Sequence, residues 1–315
     1  MMSGIGKALV LLFALALLPV AGAFAKDDSH GPVLHERDRD PRTFCPYEAG
    51  VSREHLLIFV DVTDGISEQQ LSLIRNNILT PRLFKDVSLY GKISLVVMDG
   101  NNPVTALKPE MVVCRPKNGD LSSPDPRDHY DMMVESRQRI EVEYNLGYIR
   151  RFREGVVKQV KAKSETRNTN GIAPIMESMN EISRSSALDF GDRYEKKTLI
   201  VVSNLYHNSR SIPLDKLCVR RVYLHDFLSS RYTKTWSCPS FKDIRKKRSN
   251  RFYLERKIRP KFKGPVDLKL WVLHKEVSNS GSIRDDSLIS FWQEYFEYVQ
   301  GDLNFLEPEF ESDPS

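Results

Sequence analysis

Acidic and hydroxyl side chains follow a run of apolar residues in the first quarter of the chain. Asp61, Thr63 and Asp64 come directly after the segment Leu56–Val60, and Ser67 lies three residues further on. Carboxylate and hydroxyl oxygens are the ligands that a hard divalent cation such as Mg²⁺ prefers. Two carboxylates beside a bound metal are also typical of metal-assisted hydrolysis. These residue types therefore predict either a metal site or a metal-assisted hydrolase.

The elements around these residues determine where the side chains lie. The uninterrupted apolar run predicts a central strand that is buried on both faces. Ser67 is expected to cap an amphipathic helix in which Leu71, Ile74 and Ile78 share one face. The polar residues are then at the carboxyl end of a central strand, where open α/β sheets place their ligands.

The segment Asp61-Val62-Thr63, followed by a helix, resembles the first metal-ligand segment of von Willebrand factor A domains. Two later segments lie in the matching order: GIAPIMESMNEI at 171–182 and TLIVVSNLYHNS at 198–209. The resemblance covers most of the chain after its leader. It implies an α/β fold with an open, mainly parallel sheet in the strand order 3-2-1-4-5 and helices on both faces.

The resemblance also implies a site, in which a divalent cation, Mg²⁺ or Mn²⁺, is completed by a carboxylate from a partner protein. Carried over residue by residue, the candidate ligands are Asp61, Thr63, Ser203 and Asn204, with Asp64 and Ser67 as substitutes for a missing hydroxyl. The usual pattern is altered, because Gly65 replaces a hydroxyl residue, Ala173 a threonine and Asn204 an aspartate. The affinity for a dication should therefore be low, and a vestigial site without an ion is the alternative.

The beginning of the chain is typical of an export signal. Thirteen mainly apolar residues, 8–20, follow Lys7, and Ala23-Phe24-Ala25 fits a small-x-small cleavage site. We predict a signal peptide at residues 1–25, with an uncleaved anchor as the alternative, and therefore a periplasmic or secreted protein. The expected domains are an extended polar arm at 26–50, the α/β domain at 51–302 and an acidic, disordered tail at 303–315.

Four cysteines in an exported chain most simply form two disulfides. They are Cys45, Cys114, Cys218 and Cys238, and three pairings are possible. We favour Cys218 with Cys238, and Cys45 with Cys114, which would tie the arm to the sheet. A zinc site is the alternative, but the chain has no C-x-x-C pair to support it.

Further strands are predicted at 92–100, 111–114, 198–202 and 266–272. A long helix is expected at about 134–163, with Leu146, Ile149 and Val160 turned towards the sheet. Two more helices are expected, one after Pro174 and one at 287–300.

Positive charge is concentrated in a basic insert at about 226–264. The segment 231–264 carries thirteen Lys or Arg against two acids, a net charge of +11, and the rest of the chain after the leader sums to −7. The candidate contacts are Lys242, Arg245, Lys246, Lys247, Arg248, Arg251, Arg256 and Lys257. Interleaved aromatic residues, among them Phe241 and Phe262, suit base stacking or a membrane interface. An acidic protein surface, an anionic lipid and a nucleic acid are therefore the candidate partners.

No enzyme motif supports catalysis: the chain has no G-x-S-x-G, no G-x-x-x-x-G-K and no H-E-x-x-H. We expect an exported, non-enzymatic binding or scaffolding module that engages a protein partner through its strand ends, with no small-molecule substrate. The resemblance implies an accessory role in an envelope-associated or transfer assembly. The alternatives are a periplasmic nucleic-acid- or anionic-lipid-binding factor that acts through the insert, and the metal-assisted hydrolase.

Overall fold

A mixed α/β domain surrounds a central sheet of six strands in the order β3-β2-β1-β4-β7-β8. The computed structural model describes residues 34–48, 50–133, 135–168, 170–209, 212–224, 232–247, 254–273, 286–300 and 309–311. The predicted signal peptide at 1–25 lies outside these residues. The strands are β1 (Glu54–Asp61), β2 (Lys92–Met98), β3 (Met111–Cys114), β4 (Lys196–Ser203), β5 (Val219–Leu224), β6 (Tyr232–Ser237), β7 (Asp267–Val272) and β8 (Glu309–Glu311).

The predicted sheet is confirmed. Strands β2, β1, β4 and β7 run parallel to one another, and β3 pairs antiparallel with β2 at the edge. The five predicted strands correspond to β1, β2, β3, β4 and β7. Numbered from one to five along the chain, they have the predicted order 3-2-1-4-5 in the sheet. Residues 309–311, part of the tail at 303–315 that was expected to be disordered, form β8, which pairs in parallel with the open edge of β7. The rest of the tail lies outside the described residues.

Helices cover both faces of the sheet, as predicted. They are α1 (Glu68–Leu73), α2 (Pro81–Asp86), α3 (Arg137–Val142), α4 (Arg151–Glu165), α5 (Ile175–Ile182), α6 (Leu214–Leu217), α7 (Phe241–Lys246) and α8 (Asp286–Gln300). Alternate residues of β1 enter two separate cores, with Leu57 and Phe59 facing α5, α7 and α8 and Ile58 and Val60 facing α1 and α4. All four of these side chains are fully buried, so β1 is shielded from water on both of its faces.

One inward residue of the long helix was predicted wrongly. Helix α3 continues into α4 through a π-helical segment, Glu143–Arg150, in which each turn is wider than in an α-helix. The wider turn rotates the buried face, so that Tyr148 and Ile149 are buried while Leu146 is 50% exposed. A constant spacing of three to four residues cannot anticipate this rotation.

The amino-terminal arm is more ordered than an extended segment. Both disulfides are paired as favoured, and the bond between Cys45 and Cys114 ties the arm to β3. Phe44 is buried, and its ring lies so close to Gly147 that a Cβ there would be 2.8 Å from Phe44 Cζ. The part of the arm at 34–48 is therefore packed against the domain.

The basic insert is folded rather than a loop on the surface. It begins within a two-stranded antiparallel hairpin, β5–β6, which Cys218 and Cys238 close at its base. It continues through α7 and a π-helical segment, Leu254–Ile258. Phe241 and Phe262 were predicted to stack on bases or to lie at a membrane interface, but both side chains are buried in the core. Their burial anchors the basic insert to the domain. Within the described ranges, no helix has both the length and the apolar character needed to cross a membrane.

A buried histidine makes the stability of the fold depend on pH. His55 of β1 is fully buried, with Nδ1 3.0 Å from the Asp189 carbonyl oxygen and Nε2 2.8 Å from Ser94 Oγ. A carbonyl only accepts, so Nδ1 donates to Asp189 and Nε2 accepts the Ser94 hydroxyl proton. Burial, with a contribution from the nearby Lys92 charge, lowers the pKa of His55 from 6.5 to about 3.

We expect the free energy of unfolding to fall as the pH drops below about 6.5, because the unfolded chain then binds a proton that the folded chain excludes. The slope from His55 is at most about 1.4 kcal/mol per pH unit, and it ends near the folded pKa. His55→Gln should lower stability at neutral pH but flatten this slope. Urea unfolding between about pH 6 and pH 4 tests the expectation, and parallel curves for the two proteins would contradict it.

Candidate functional site

The carboxyl ends of β1 and β4 place the predicted ligands side by side. The two strands are parallel neighbours, so Asp61 at the end of β1 lies next to Ser203 at the end of β4. Asp61 Oδ1 accepts hydrogen bonds from the backbone N–H of Thr63 at 3.0 Å and from its hydroxyl at 2.7 Å. Asp61 Oδ2 accepts the Ser203 hydroxyl at 2.9 Å. Both carboxylate oxygens are therefore held by donors of this chain.

Asp61 is also removed from water, since only 6% of its surface is exposed. Burial raises the pKa of the Asp61 carboxyl, because the charged form loses its hydration. The hydrogen bonds from Thr63 and Ser203 oppose this rise. Asp61 acts in this structure as the internal acceptor that fixes the ends of two strands.

A second pair, Asp64 and Asn204, lies at the surface of the same region. The Asn204 amide nitrogen donates to Asp64 Oδ2 at 2.6 Å, and Asn204 Oδ1 accepts from the backbone N–H of Tyr206 at 3.0 Å. The Tyr206 N–H needs an acceptor, so this bond determines the orientation of the amide. Asn204 consequently presents a donor towards Asp64.

Ser67, the other predicted substitute ligand, caps α1 in this structure. Its hydroxyl accepts from the backbone N–H of Gln70 at 3.2 Å, while Gln70 Oε1 accepts from the Ser67 N–H at 2.9 Å. This reciprocal pair is a capping box, which satisfies two donors at the start of a helix. The prediction that Ser67 begins the helix is confirmed.

The turn after β4 is locked in an uncommon conformation. Leu205 has a φ of +62°, in the left-handed region that branched side chains rarely adopt. The N–H of Leu205 donates to Ser203 Oγ at 2.9 Å, and its carbonyl accepts from Trp292 Nε1 of α8 at 2.8 Å. Strained residues of this kind cluster at functional sites. Helix α8 therefore holds the turn that carries Asn204.

A cleft of about 360 Å³ opens beside these residues. Its lining includes Asp61, Asp64, Gly65, Ile66, Arg167 and Asn204. The Arg167 guanidinium donates through Nη1 to the Ser164 carbonyl at 2.6 Å. We call Asp61, Thr63, Asp64, Arg167, Ser203 and Asn204 the strand-end face.

Sequence reasoning missed Arg167, which lies just beyond the long helix predicted at about 134–163. Gly65 has a φ of +85°, and a Cβ there would lie 2.8 Å from Arg167 Cζ. The guanidinium therefore lies against Gly65, the residue that replaces a hydroxyl residue of the von Willebrand factor A pattern. An unexpected glycine at that place was the one available signal, because glycine permits close approach of a neighbouring group.

The donor set does not match the shell that Mg²⁺ requires, which is near-octahedral and made of oxygens. Asn204 directs its amide nitrogen towards Asp64, and a nitrogen that donates protons cannot ligate a cation. Ala173 is 4% exposed and contributes only a backbone bridge with Asn208. In the part of the chain that the structure describes, no three His, Cys, Asp or Glu residues form a group able to hold a metal ion.

The predicted electrostatic residues lie apart from this cleft. Exposed cations occur on α7, directly after it and on the π-helical segment Leu254–Ile258: Lys242, Arg245, Lys246, Lys247, Arg256 and Lys257. None of these six lines the cleft. Arg248 and Arg251 lie outside the described residues.

Comparison with known proteins finds similarity only at the level of solved structures. No protein-family model matches the chain, and no curated protein matches it. Among solved structures, it is similar to an aerotolerance-related membrane protein from Bacteroides fragilis NCTC 9343 with multiple mutations to serines. The identity is 8% and the TM-score 0.31, over 83% of this chain and 92% of that one. The α/β fold class therefore rests on the observed sheet and its helices.

Proposed function

We propose that this protein is an exported, non-enzymatic binding or scaffolding module that engages a protein partner through the strand-end face without a bound cation. The hydrogen bonding of Asp61 carries the proposal. Thr63 and Ser203 satisfy both oxygens of the buried carboxylate, so the strand ends are held in place by this chain's own donors. A face that is already ordered binds a partner at a low entropic cost.

Opposite charges beside the cleft support a protein as the ligand. Asp64 is exposed, and Arg167 is half-buried with one guanidinium nitrogen bonded to the Ser164 carbonyl. A partner that places complementary charges against these two groups gains orientation as well as affinity. Ile66 adds a partly buried apolar surface at the same cleft.

The same geometry favours binding over catalysis. Asp61, the carboxylate that a metal-assisted hydrolase would use, is buried and fully hydrogen-bonded. The two disulfides support an oxidising compartment such as the periplasm or the exterior. Together with the von Willebrand factor A-like order of the strand-end motifs, this supports an accessory role in an envelope-associated assembly.

Site-specific photo-cross-linking tests the proposal. A photoreactive residue at Gln69, an exposed position in the first turn of α1 beside the cleft, should form a discrete adduct with one envelope protein. The double variant Asp64→Lys and Arg167→Glu keeps the net charge and inverts its pattern. The adduct should then decrease at least about tenfold, because the partner's charges would face like charges.

The matched control inverts another pair of opposite charges, Arg82→Glu with Asp86→Lys on α2, where the two side chains are 3.6 Å apart. This control should form as much adduct as the original protein. An adduct that survives the strand-end double variant, or that the control variant abolishes equally, would contradict the proposal.

A further inference from the structure

The cations that follow the hairpin belong to segments that buried apolar side chains hold against the core. We call these segments the support. Phe241 and Ile244 of α7 are buried against α8, and Ile258 and Phe262 enter the same core. We call the exposed cations on this support the basic surface: Lys242, Arg245, Lys246, Lys247, Arg256 and Lys257.

Hydrogen bonds fix the backbone under this surface. The Tyr295 hydroxyl donates to the Ile258 carbonyl at 2.8 Å, and the Lys261 N–H donates to Ser183 Oγ at 2.7 Å. The carbonyl of Arg256 accepts from the Asn180 side chain at 3.5 Å. The cations are therefore presented on a fixed backbone, and only their side chains need to be ordered on binding.

Tyr298 of α8 brings the two halves of the surface together. Arg245 Cζ lies 4.3 Å from the centre of the Tyr298 ring, and Arg259 Cζ lies 5.4 Å from the same centre. Both are within the range of a cation–π contact. Arg245 of α7 and Arg259, directly after the π-helical segment, therefore meet at one aromatic ring.

Acidic neighbours neutralise only part of this charge. Lys242 pairs with Glu297 and Lys246 with Asp243, both at 3.2 Å. Within the described ranges, Lys247, Arg256 and Lys257 make no ion pair. Among the described residues, these ion pairs therefore leave the basic surface with an excess of positive charge.

We propose that the basic surface binds the anionic headgroups of a phospholipid membrane. Juxtaposed Lys and Arg residues are attracted to such a surface without inserting into it. Phe241 and Phe262, two of the aromatic residues interleaved with the cations, are buried and so are not available to stack on bases. The disulfide Cys218–Cys238, at the base of the hairpin that leads into the surface, supports an oxidising compartment, in which the protein can meet a membrane surface.

The position of the surface allows both contacts at once. Arg256 lies against the carboxyl half of α5, and Lys263 contacts Lys197 at the beginning of β4. The beginning of β4 lies at the opposite end of the sheet from Asp61 and Ser203. A membrane bound there leaves the strand-end face free for its partner.

Vesicle sedimentation tests the proposal with the exported, disulfide-bonded protein. It should bind phosphatidylcholine vesicles that contain phosphatidylglycerol and not vesicles of phosphatidylcholine alone, with at least about tenfold weaker binding at high salt. The triple variant Lys246→Glu, Lys247→Glu and Lys257→Glu should lose at least about tenfold in vesicle affinity.

The control changes three exposed lysines elsewhere, Lys85, Lys108 and Lys158, to glutamate and thus alters the net charge equally. It should retain most of the vesicle affinity, and both variants should keep the thermal midpoint of the original protein. Absence of binding, an unaffected triple variant, or an equal loss in the control would overturn the proposal. Tighter binding to a duplex oligonucleotide at the same salt would also overturn it and assign the surface to nucleic acid.

Discussion

Phe241→Ala is expected to lower the free energy of unfolding by about 3–5 kcal/mol, the range for removing a fully buried aromatic side chain. The Phe241 ring packs edge-on against Phe291 and Tyr295 of α8, with ring centres 5.6 and 5.5 Å apart. No other side chain of α7 is as deeply buried, so its loss leaves a cavity and frees the helix that carries three cations of the basic surface, Lys242, Arg245 and Lys246. Urea unfolding measures the loss.

Lys247→Ala is the matched control on the same segment, because Lys247 is exposed and its replacement should change stability by at most about 0.5 kcal/mol. Phe241→Leu should cost less than the alanine variant, since leucine fills most of the cavity. A cost below about 1 kcal/mol for Phe241→Ala would contradict the packing of α7 described here.

Removal of the disulfide between Cys45 and Cys114 should cost about 4 kcal/mol. The bond joins residues 69 apart in the sequence, and a closed loop of that length restricts the unfolded chain strongly. The arm has further contacts with the domain: the Cys114 N–H donates to the Thr43 carbonyl at 2.7 Å, and Arg39 pairs with Glu143 at 2.7 Å. The variant Cys45→Ser with Cys114→Ser should therefore unfold at lower urea concentration and expose the arm to proteases.

The second disulfide provides the comparison. Cys218 and Cys238 are only 20 residues apart, so chain entropy predicts a cost of about 3 kcal/mol for their removal, roughly 1 kcal/mol less. Equal thermal midpoints for the original protein and the Cys45→Ser with Cys114→Ser variant would contradict a stabilising role for the longer bridge.

Local pattern was sufficient for the sheet and for several helices. The apolar run at 56–60 is fully or almost fully buried, and Leu71, Ile74 and Ile78 lie on one buried face as predicted. These segments could be predicted because burial on both faces makes a strand uniformly apolar, and burial on one face gives a helix a single apolar stripe. The hairpin β5–β6 was missed because its high charge resembles a solvated loop, and β8 was missed because its pairing depends on the open edge of β7.

The site was only partly predictable for a similar reason. Asp61, Thr63 and Ser203 could be placed together because parallel strands bring their carboxyl ends to one edge. The approach of Arg167 to Gly65 depends on how the chain leaves α4, which no local pattern encodes. The orientation of the Asn204 amide likewise depends on the turn at Leu205, a tertiary feature held by Trp292.

The cross-linking experiment at Gln69, performed in parallel with a chelator and with added Mg²⁺, tests most directly whether the strand-end face works without a cation. Because Thr63 and Ser203 already satisfy Asp61, we predict that the yield of the adduct is the same in both conditions. An adduct that disappears in the chelator and returns with Mg²⁺ or Mn²⁺ would contradict the account and place a divalent cation at Asp61.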